Sequence, residues 1–360
     1  MSEWKECKLG EVVSFGNGKV RPKEQGNTPV YGGNGILDYC DSNNYNNETI
    51  IIGRVGAYCG SVYYENKPIW ISDNALAAKP KGKNDAKFFY YFIKNLKLND
   101  FAEGSSHPLV TQTLLNSIDI VVTKNIEEQK RIAGVLSSLD DKIDLLNNQN
   151  KTLEAMAEAF FRHHFIDNPN PKWDEIPLSK VADFLNGLAC QNIPPLNNTK
   201  KLPVLKIKEL SSGINLDSDW ASNEIDPKYI VENGDVIFAW SATLMVKIWN
   251  GERCVLNQHL FKVTSIKYPK WFYYLWCKYY LNEFKAIAAS HATTMGHIKR
   301  GDLDTAIVSI PTEKDFIYMT EQMQPILEKQ IANNKQILTL TKLRNTLLPN
   351  LINRNINLNG

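Results

Sequence analysis

The residues able to do chemistry in this chain point to binding rather than to bond breaking. Gly53-Arg54-Val55-Gly56-Ala57-Tyr58-Cys59-Gly60 is glycine-rich but lacks the Lys-Ser/Thr ending of a phosphate-cradling loop. Tyr31-Gly32-Gly33-Asn34-Gly35 does not space its glycines as a dinucleotide-binding turn does. No Asn-Pro-Pro-aromatic tetrapeptide, of the kind used for amino-group methylation of an extruded base, occurs, and Asn192-Ile193-Pro194-Pro195 is not one. The six histidines have no paired ligand spacing, and His291 and His297 stand six apart. Cys7, Cys40, Cys59, Cys190, Cys254 and Cys277 form no CxxC pair and no zinc spacing, so they read as reduced, buried thiols of a cytoplasmic protein. No catalytic constellation and no metal site is expected. What recurs is basic clustering: Lys19, Arg21 and Lys23, then Lys79, Lys81, Lys83 and Lys87, and later Lys200, Lys201, Lys206 and Lys208. Any one cluster is ordinarily a solvated face. Their recurrence raises a nucleic-acid reading, although a net charge of +2 excludes a uniformly basic polyanion binder.

The elements that must position these residues come in duplicate. Residues 4–18 read WKECKLGEVVSFGNG and residues 173–187 read WDEIPLSKVADFLNG. Trp4/Trp173, Glu6/Glu175, Leu9/Leu178, Val12/Val181, Phe15/Phe184, Asn17/Asn186 and Gly18/Gly187 coincide without gaps. Further along, Asp73-Asn74-Ala75-Leu76 matches Asn257-Gln258-His259-Leu260, and Gly104-Ser105-Ser106-His107 matches the region of Ser290-His291. The growing offset places inserted residues in the second copy, around Ile193 to Asp219. One module therefore occurs twice, diverging most in polar loops, where scaffolds carry function. Each copy mixes strand and helix signals: Thr49–Ile52, Val62–Tyr64, Ile69–Ile71, a helix over Phe88–Leu98 and a strand over Ile118–Val122 in the first; Val236–Phe238, Cys254–Leu256, Phe261–Val263, a helix over Trp271–Ile287 and a strand over Ile307–Ile310 in the second.

A long helix follows each module. Ile132, Leu136, Leu139, Ile143, Leu146, Asn150, Leu153, Ala157 and Phe160 alternate steps of four and three, a heptad seam. Lys130, Asp141, Lys142, Asn147 and Lys151 face the other way. A helix from Glu127 to about Phe165 would be roughly 55–60 Å long. The second, from about Lys314 to Ile352, drifts in register near Asn333-Asn334, and Pro325 and Pro349 predict kinks or breaks. Each seam needs a partner, and the order module, helix, module, helix makes the two helices antiparallel partners with the chain ends close together. Asn150 occupies a seam position, where an amide sets register at some cost in stability. The fold class is thus α+β: two domains joined by two long antiparallel helices in an intramolecular coiled coil, with a pseudo-twofold internal repeat. The boundaries are 1–125, 126–167, 168–312 and 313–360.

Over essentially the whole length, the chain resembles the specificity subunit of type I restriction-modification systems. The phrases that carry the resemblance are the two module openings, Pro29-Val30-Tyr31-Gly32-Gly33-Asn34-Gly35-Ile36, Ile52-Gly53-Arg54-Val55-Gly56, and Trp70-Ile71-Ser72-Asp73-Asn74-Ala75. Asn233-Gly234-Asp235-Val236-Ile237-Phe238-Ala239-Trp240-Ser241 and Leu256-Asn257-Gln258-His259 follow in the second module. Glu127-Glu128-Gln129-Lys130-Arg131-Ile132-Ala133 opens the first helix, and Leu343-Arg344-Asn345-Thr346-Leu347-Leu348-Pro349-Asn350-Leu351 ends the second. Met245 departs from the glycine frequent after the Trp-Ser strand, and Asn353-Arg354-Asn355-Ile356 departs from the usual Gly-Glu-Ile ending. The resemblance implies two target-recognition domains, each reading one half of a split double-stranded DNA site, with helix length setting the gap. It implies helices that dock two methyltransferase subunits, which bind S-adenosylmethionine, and a larger assembly with two ATP-driven restriction subunits. It implies no cofactor and no catalysis in this chain itself.

Base edges are read by few side-chain types: Arg suits guanine O6/N7, and Asn or Gln suits adenine N6/N7. On the first module's loops the candidates are Arg54, Asn74, Ser105, His107 and Gln112, with Gly32, Gly33 and Asn34 as a loop close to the nucleic-acid backbone. On the second they are Lys206, Trp240, Ser241, Gln258, His291, Thr293, Thr294 and His297. Lys19, Lys81, Lys208 and Lys299 are phosphate candidates that would fix position without carrying sequence. Two rival classes stand beside this one. A self-contained methyltransferase or nuclease lacks the necessary motifs; a coiled-coil protein-binding adaptor without DNA readout is the alternative. The apolar stretch Trp271–Phe284 is short and broken by Lys278 and Asn282, so no membrane association is expected.

Overall fold

The computed structural model describes residues 4–102, 108–290 and 296–356. The chain forms two compact units, one of residues 1–142 with 341–360 and one of residues 143–340.

In the first unit, a central antiparallel sheet has strand order Val13–Asn17, Ala75–Pro80, Thr49–Gly53, Val62–Glu65. The run Thr49-Ile50-Ile51-Ile52 is buried throughout, as expected of an inner strand covered on both faces. Helix α1 (Ala86–Asn95) covers one face. The Asp85 side chain caps it by accepting from Phe88 N, and Phe88, Phe89, Phe92 and Ile93 enter the core. A second sheet, Gly35–Cys40, Gln25–Gly32, Trp70–Ile71, backs the other face. Its hairpin is not expected from the sequence, because Gln25-Gly26-Asn27-Thr28-Pro29 has no apolar alternation. Strand Trp4–Lys8 pairs with Asp119–Thr123 and leads into helix α2 (Ile126–Phe161), whose first turns Ile132, Ala133 and Leu136 bury in the same core. The Asn125 side chain accepts from Glu127 N and Glu128 N at 3.0 and 3.2 Å and starts this helix. The last turns of the closing helix supply Leu351 and Ile352 to the core. Residues near the two ends of the described chain therefore meet: the Arg354 guanidinium lies 5.2 Å from the centre of the Trp4 ring.

The second unit repeats these parts. Its central sheet runs Asp183–Asn186, Leu260–Thr264, Val236–Ala239, Met245–Ile248, and Asp174–Pro177 pairs with Ile307–Ile310. Its second sheet has four strands, Trp220–Ser222, Lys201–Leu205, Cys254–Leu256, Ile230–Val231. The helix expected over Trp271–Ile287 is two: α3 (Lys270–Tyr279) and α4 (Leu281–Ser290). The chain turns at Tyr280, whose N–H donates to the carbonyls of Trp276 and Lys278, and the turn lets Phe284 return to the core that Trp271, Phe272 and Trp276 fill. Helix α2 ends in a π turn, Arg162–Asp167. Phe161, not Phe160, is the fully buried residue there. It stacks on Phe165 at 5.0 Å, so the seam slips by one position where the helix widens.

The closing helix α5 (Glu313–Ile352) is continuous. The breaks predicted at Pro325 and Pro349 do not occur. Pro325 is exposed and so is Glu321, whose carbonyl loses its helical partner to it, so water can satisfy that group; Met323 and Leu327 are buried on either side and hold the turns. In the second unit Asn150 meets Gln330, Asn333 and Asn334, while Ala157 lies with Met323 and Leu327, so α2 and α5 run in opposite directions there. The Asn150 amide donates to Asn334 Oδ1 at 2.8 Å and accepts from Asn333 Nδ2 at 3.0 Å. Asn150 itself is half-buried, and Asn333 is the amide sealed from solvent, at 1 % exposure.

Candidate nucleic-acid interface

The duplicated phrase has a structural meaning, residue by residue. Leu9 N donates to Ile118 O at 2.8 Å, and Leu178 N donates to Ala306 O at 2.8 Å. Trp4 Nε1 donates to Glu128 at 3.2 Å and Trp173 Nε1 donates to Asp315 at 3.1 Å, so each tryptophan ties its module to the first turn of the helix that follows. The bond from Trp173, with one from Thr312, holds the Asp315 carboxyl below the usual carboxylate range. A side chain on Gly18 would run into the Ser72 carbonyl, and one on Gly187 into the Asn257 carbonyl. Both glycines permit a close backbone approach that a Cβ would block. Glu6 and Glu175 are exposed, and nothing in the structure explains their coincidence.

From this glycine the two units build matching clusters of loops. In the first, Gly18 N donates to Ala75 O, Ala75 N to Ser72 O, Arg54 N to Asn74 O and Val110 N to Arg54 O, at 3.2, 3.0, 3.0 and 2.9 Å. In the second, Gly187 N donates to Leu260 O, Leu260 N to Asn257 O, Trp240 N to His259 O and Ile298 N to Trp240 O, at 3.0, 3.0, 3.4 and 3.0 Å. Ser72 N to Tyr31 O (2.8 Å) and Asn257 N to Leu205 O (3.2 Å) extend the series. These bonds make Arg54 and Trp240 equivalent, likewise Asn74 and His259, and Gly32 and Lys206. They correct the alignment by one residue: Ala75 corresponds to Leu260, and Gln258 matches Asp73, not Asn74. The sheet registers agree, with Asn17 opposite Leu76 and Asn186 opposite Phe261.

In the first unit the cluster gathers Lys19, Gly32, Gly33, Asn34, Arg54, Asn74 and Gln112. Gly33 approaches Gly53, Asn74 and Val55, and the Ser61 hydroxyl donates to its carbonyl. Asn34 and Asn74 are exposed, and the Arg54 guanidinium has no partner among the described residues. The Gln112 amide lies 2.8 Å from Asn17 Oδ1 and is engaged inside the protein. Lys81 does not join them. It follows the far end of strand Ala75–Pro80, opposite Asn74, and its ammonium donates to Gly10 O. Ser105 and His107 lie outside the described residues.

In the second unit Trp240, Ser241, Gln258 and His297 come together. Trp240 is half-buried: its ring stacks on Phe261 at 5.6 Å and its Nε1 donates to Asn186 Oδ1 at 3.0 Å. His297 sits edge-on at 6.3 Å, and its backbone bridges Ser241. His259 is exposed, with Nδ1 3.2 Å from Ser241 Oγ. Lys206 is ion-paired with Asp219, whereas the exposed Lys208 and Lys299 ammonium groups have no partner among the described residues. His291, Thr293 and Thr294 lie outside the described residues. Part of the insertion falls between Lys206 and Asp219 and includes the short helix Ile207–Ser212, where the first unit has the tight turn from Gly32 to Gly35. Met245 opens strand Met245–Ile248 and pairs with Ala239.

Sequence reasoning missed His259, Asn17, Asn186 and Arg300. Arg300 reaches Phe184 O at 3.4 Å, two residues beyond Ile298 as Gln112 is two beyond Val110. Asn17 and Asn186 were visible within the repeated phrase as the polar pair before its glycine. Beneath the loops, burial pushes the Cys59 and Cys190 thiols and the Tyr31 phenol up, so these groups stay uncharged near neutral pH. Among the described residues no cluster of His, Cys, Asp or Glu could hold a metal ion, and no helix is long and apolar enough to cross a membrane.

A family model described as the type I restriction modification DNA specificity domain matches residues 1–155 and again 170–343. The MjaIX specificity subunit of a type I restriction enzyme from Methanocaldococcus jannaschii is 28% identical over 324 residues, covering 81% of this chain and 74% of that protein. The MjaVIII specificity subunit from the same organism is 23% identical, covering 90% and 86%. The crystal structure of a type I restriction-modification S subunit from M. genitalium superposes with a TM-score of 0.64 at 17% identity, covering 98% and 96%, which shows the shared fold.

Proposed function

The chain belongs to the type I restriction-modification DNA specificity family, and from that premise we propose that it is the sequence-reading, non-catalytic subunit of a methyltransferase complex. Each unit reads one half of a two-part double-stranded DNA site. The observation that carries this reading is the pair of loop clusters: one backbone hydrogen-bond scaffold holds Gly32, Arg54 and Asn74 in one unit and Lys206, Trp240 and His259 at the matching places in the other. A duplicated frame with different polar tips is what reading two different half-sites with one mechanism requires. Arg54, Asn74 and Asn34 carry base contacts in the first half-site, with Gly33 admitting the sugar-phosphate backbone and Gly32, buried under Leu37, shaping the turn. Trp240, Ser241, Gln258 and His297 serve the second, and Lys19, Lys208 and Lys299 hold phosphates.

Helices α2 and α5 form the antiparallel coiled coil that sets the distance between half-sites, with a pseudo-twofold relation between the domains and Asn150 fixing register. Their exposed faces, including Lys151, dock two methyltransferase subunits. Those partners supply S-adenosylmethionine, restriction subunits add ATP-driven cleavage, and the assembly works in the cytoplasm. A map of N6-methyladenine in the source cells with and without this gene tests the reading. Loss of one methylated motif made of two short parts around a fixed gap is the expected result. An unchanged map, with no DNA bound by the assembled complex, would favour a protein-binding adaptor.

A further inference from the structure

We propose that His259 is a base-reading residue of the second domain, holding there the place of Asn74 in the first, and that it accepts a hydrogen bond from an exocyclic amino group of adenine or cytosine. The assignment rests on the DNA-reading function proposed above and adds a residue that aligned sequence passes over.

Three observations support it. The backbone places it: the carbonyls of Asn74 and His259 accept from the equivalent N–H groups of Arg54 and Trp240, and each lies directly before the residue that begins the shared inner strand. Exposure agrees, since Asn74 and His259 both face solvent while Gln258 is half-buried. The ring is also oriented. Its Nδ1 is 3.2 Å from Ser241 Oγ, its Nε2 is 3.5 Å from the Gln258 amide nitrogen, and the Trp240 ring stands 5.9 Å away. The Ser241 hydroxyl oxygen can accept from Nδ1–H, and in that tautomer Nε2 is left as an acceptor. The contact at Nε2 is long enough for a better donor to replace it. The amino groups of adenine N6 and cytosine N4 are the donors a base edge presents in the major groove. Ser241, 7 % exposed and bridged to His297, is thus a positioning residue that fixes the tautomer.

The test is a methylation map of cells whose gene carries His259→Ala, Gln258→Ala, Ser241→Ala or His259→Asn. His259→Ala should lower discrimination at one base of one half-site by roughly ten-fold or more, leaving the other half-site intact. Ser241→Ala should weaken the same position only. His259→Asn, which restores a side chain of the Asn74 kind, should recover discrimination in favour of adenine. The assignment is overturned if Gln258→Ala relaxes the motif and His259→Ala does not, or if His259→Ala lowers methylation at all sites alike. A wild-type map without any two-part motif would instead strike down the functional reading itself, and this assignment with it.

Discussion

The two units differ in where they spend polar groups. The first presents a short glycine turn, Gly32-Gly33-Asn34, and an Arg54 guanidinium with no partner among the described residues; the second presents aromatic rings and a helical insertion that opens at an ion-paired Lys206. Underneath, the backbone bonds are the same. The lesson is that the frame is set by a few steric and capping requirements, whereas the tips are free to vary. If that division is right, substitutions in the frame should disable a whole unit and substitutions at the tips should change its chemistry alone.

The glycines test it most severely. Gly187→Ala should cost the second unit ~3 kcal/mol or more, because its Cβ meets backbone rather than a side chain that could rotate away. Gly18→Ala should do the same to the first. Gly134→Ala is the control: nothing lies within 4 Å of a Cβ there, the residue is in α2, and the change should stabilise by about 0.5–1 kcal/mol. Denaturant melting of the purified chain separates the outcomes. Equal behaviour of Gly134→Ala and Gly187→Ala would remove the steric account.

Next in size come the polar clamps between each domain and its helices. In the first unit Tyr91 donates to Asp140 at 2.7 Å and Arg344 pairs with it at 2.7 Å, with side chains 23 % (Asp140) and 22 % (Arg344) exposed. Asp140→Ala leaves a half-sealed guanidinium without its carboxylate and should cost about 3 kcal/mol. In the second unit Lys278 bridges Glu154 and Glu158, whose side chains are 44 % and 51 % exposed. Lys278→Met should cost only ~1 kcal/mol, since both carboxylates can return to water. A larger loss from Lys278→Met than from Asp140→Ala would invert the ranking.

The helix seam gives a smaller effect than Asp140→Ala, with a distinct signature. Asn150→Leu should cost roughly 1–2 kcal/mol, because it strips partners from the buried Asn333 amide. The double variant Asn150→Leu/Asn333→Leu should recover much of that, a coupling of about 1 kcal/mol or more. Additive losses would mean that the amides do not act as one group.

Much of this frame was legible in the sequence. The apolar run Thr49–Ile52, the strand Cys254–Leu256 and the seam through Ile132, Leu136, Ile143 and Leu146 are dense enough to outweigh local ambiguity, and all bury as expected. The hairpin at Gln25–Cys40 was not legible, because its first strand opens with the polar run Gln25-Gly26-Asn27-Thr28 and its register shifts at Gln25/Thr28 and Val30/Tyr31, which breaks any alternation. The turn at Tyr280 carries no Gly or Pro, and Pro325 overstated a break in a helix that packing on both sides keeps continuous. At the site, the repeated Asn-Gly was visible, but His259 was hidden by a one-residue slip: a shared Leu aligned Leu76 with Leu260, whereas the sheet register puts Phe261 there. Identity of type misled where hydrogen bonding decides.

A small effect of opposite sign in the two units is the cleanest comparison of the two frames. Equivalent positions two residues past Arg54 and Trp240 both adopt positive φ, +77° at Gly56 and 55° at Ala242. Gly56 is the natural occupant of that region; Ala242 bears the steric cost of a Cβ against its carbonyl, ~1 kcal/mol. Ala242→Gly should therefore stabilise the second unit by about that amount, and Gly56→Ala, which meets no neighbour within 4 Å, should cost the first about the same. Opposite shifts of similar size in the melting midpoints would show that the two loops share one backbone requirement. Unchanged midpoints would show that the loops relax independently, and the residue equivalences drawn across the site would lose their footing.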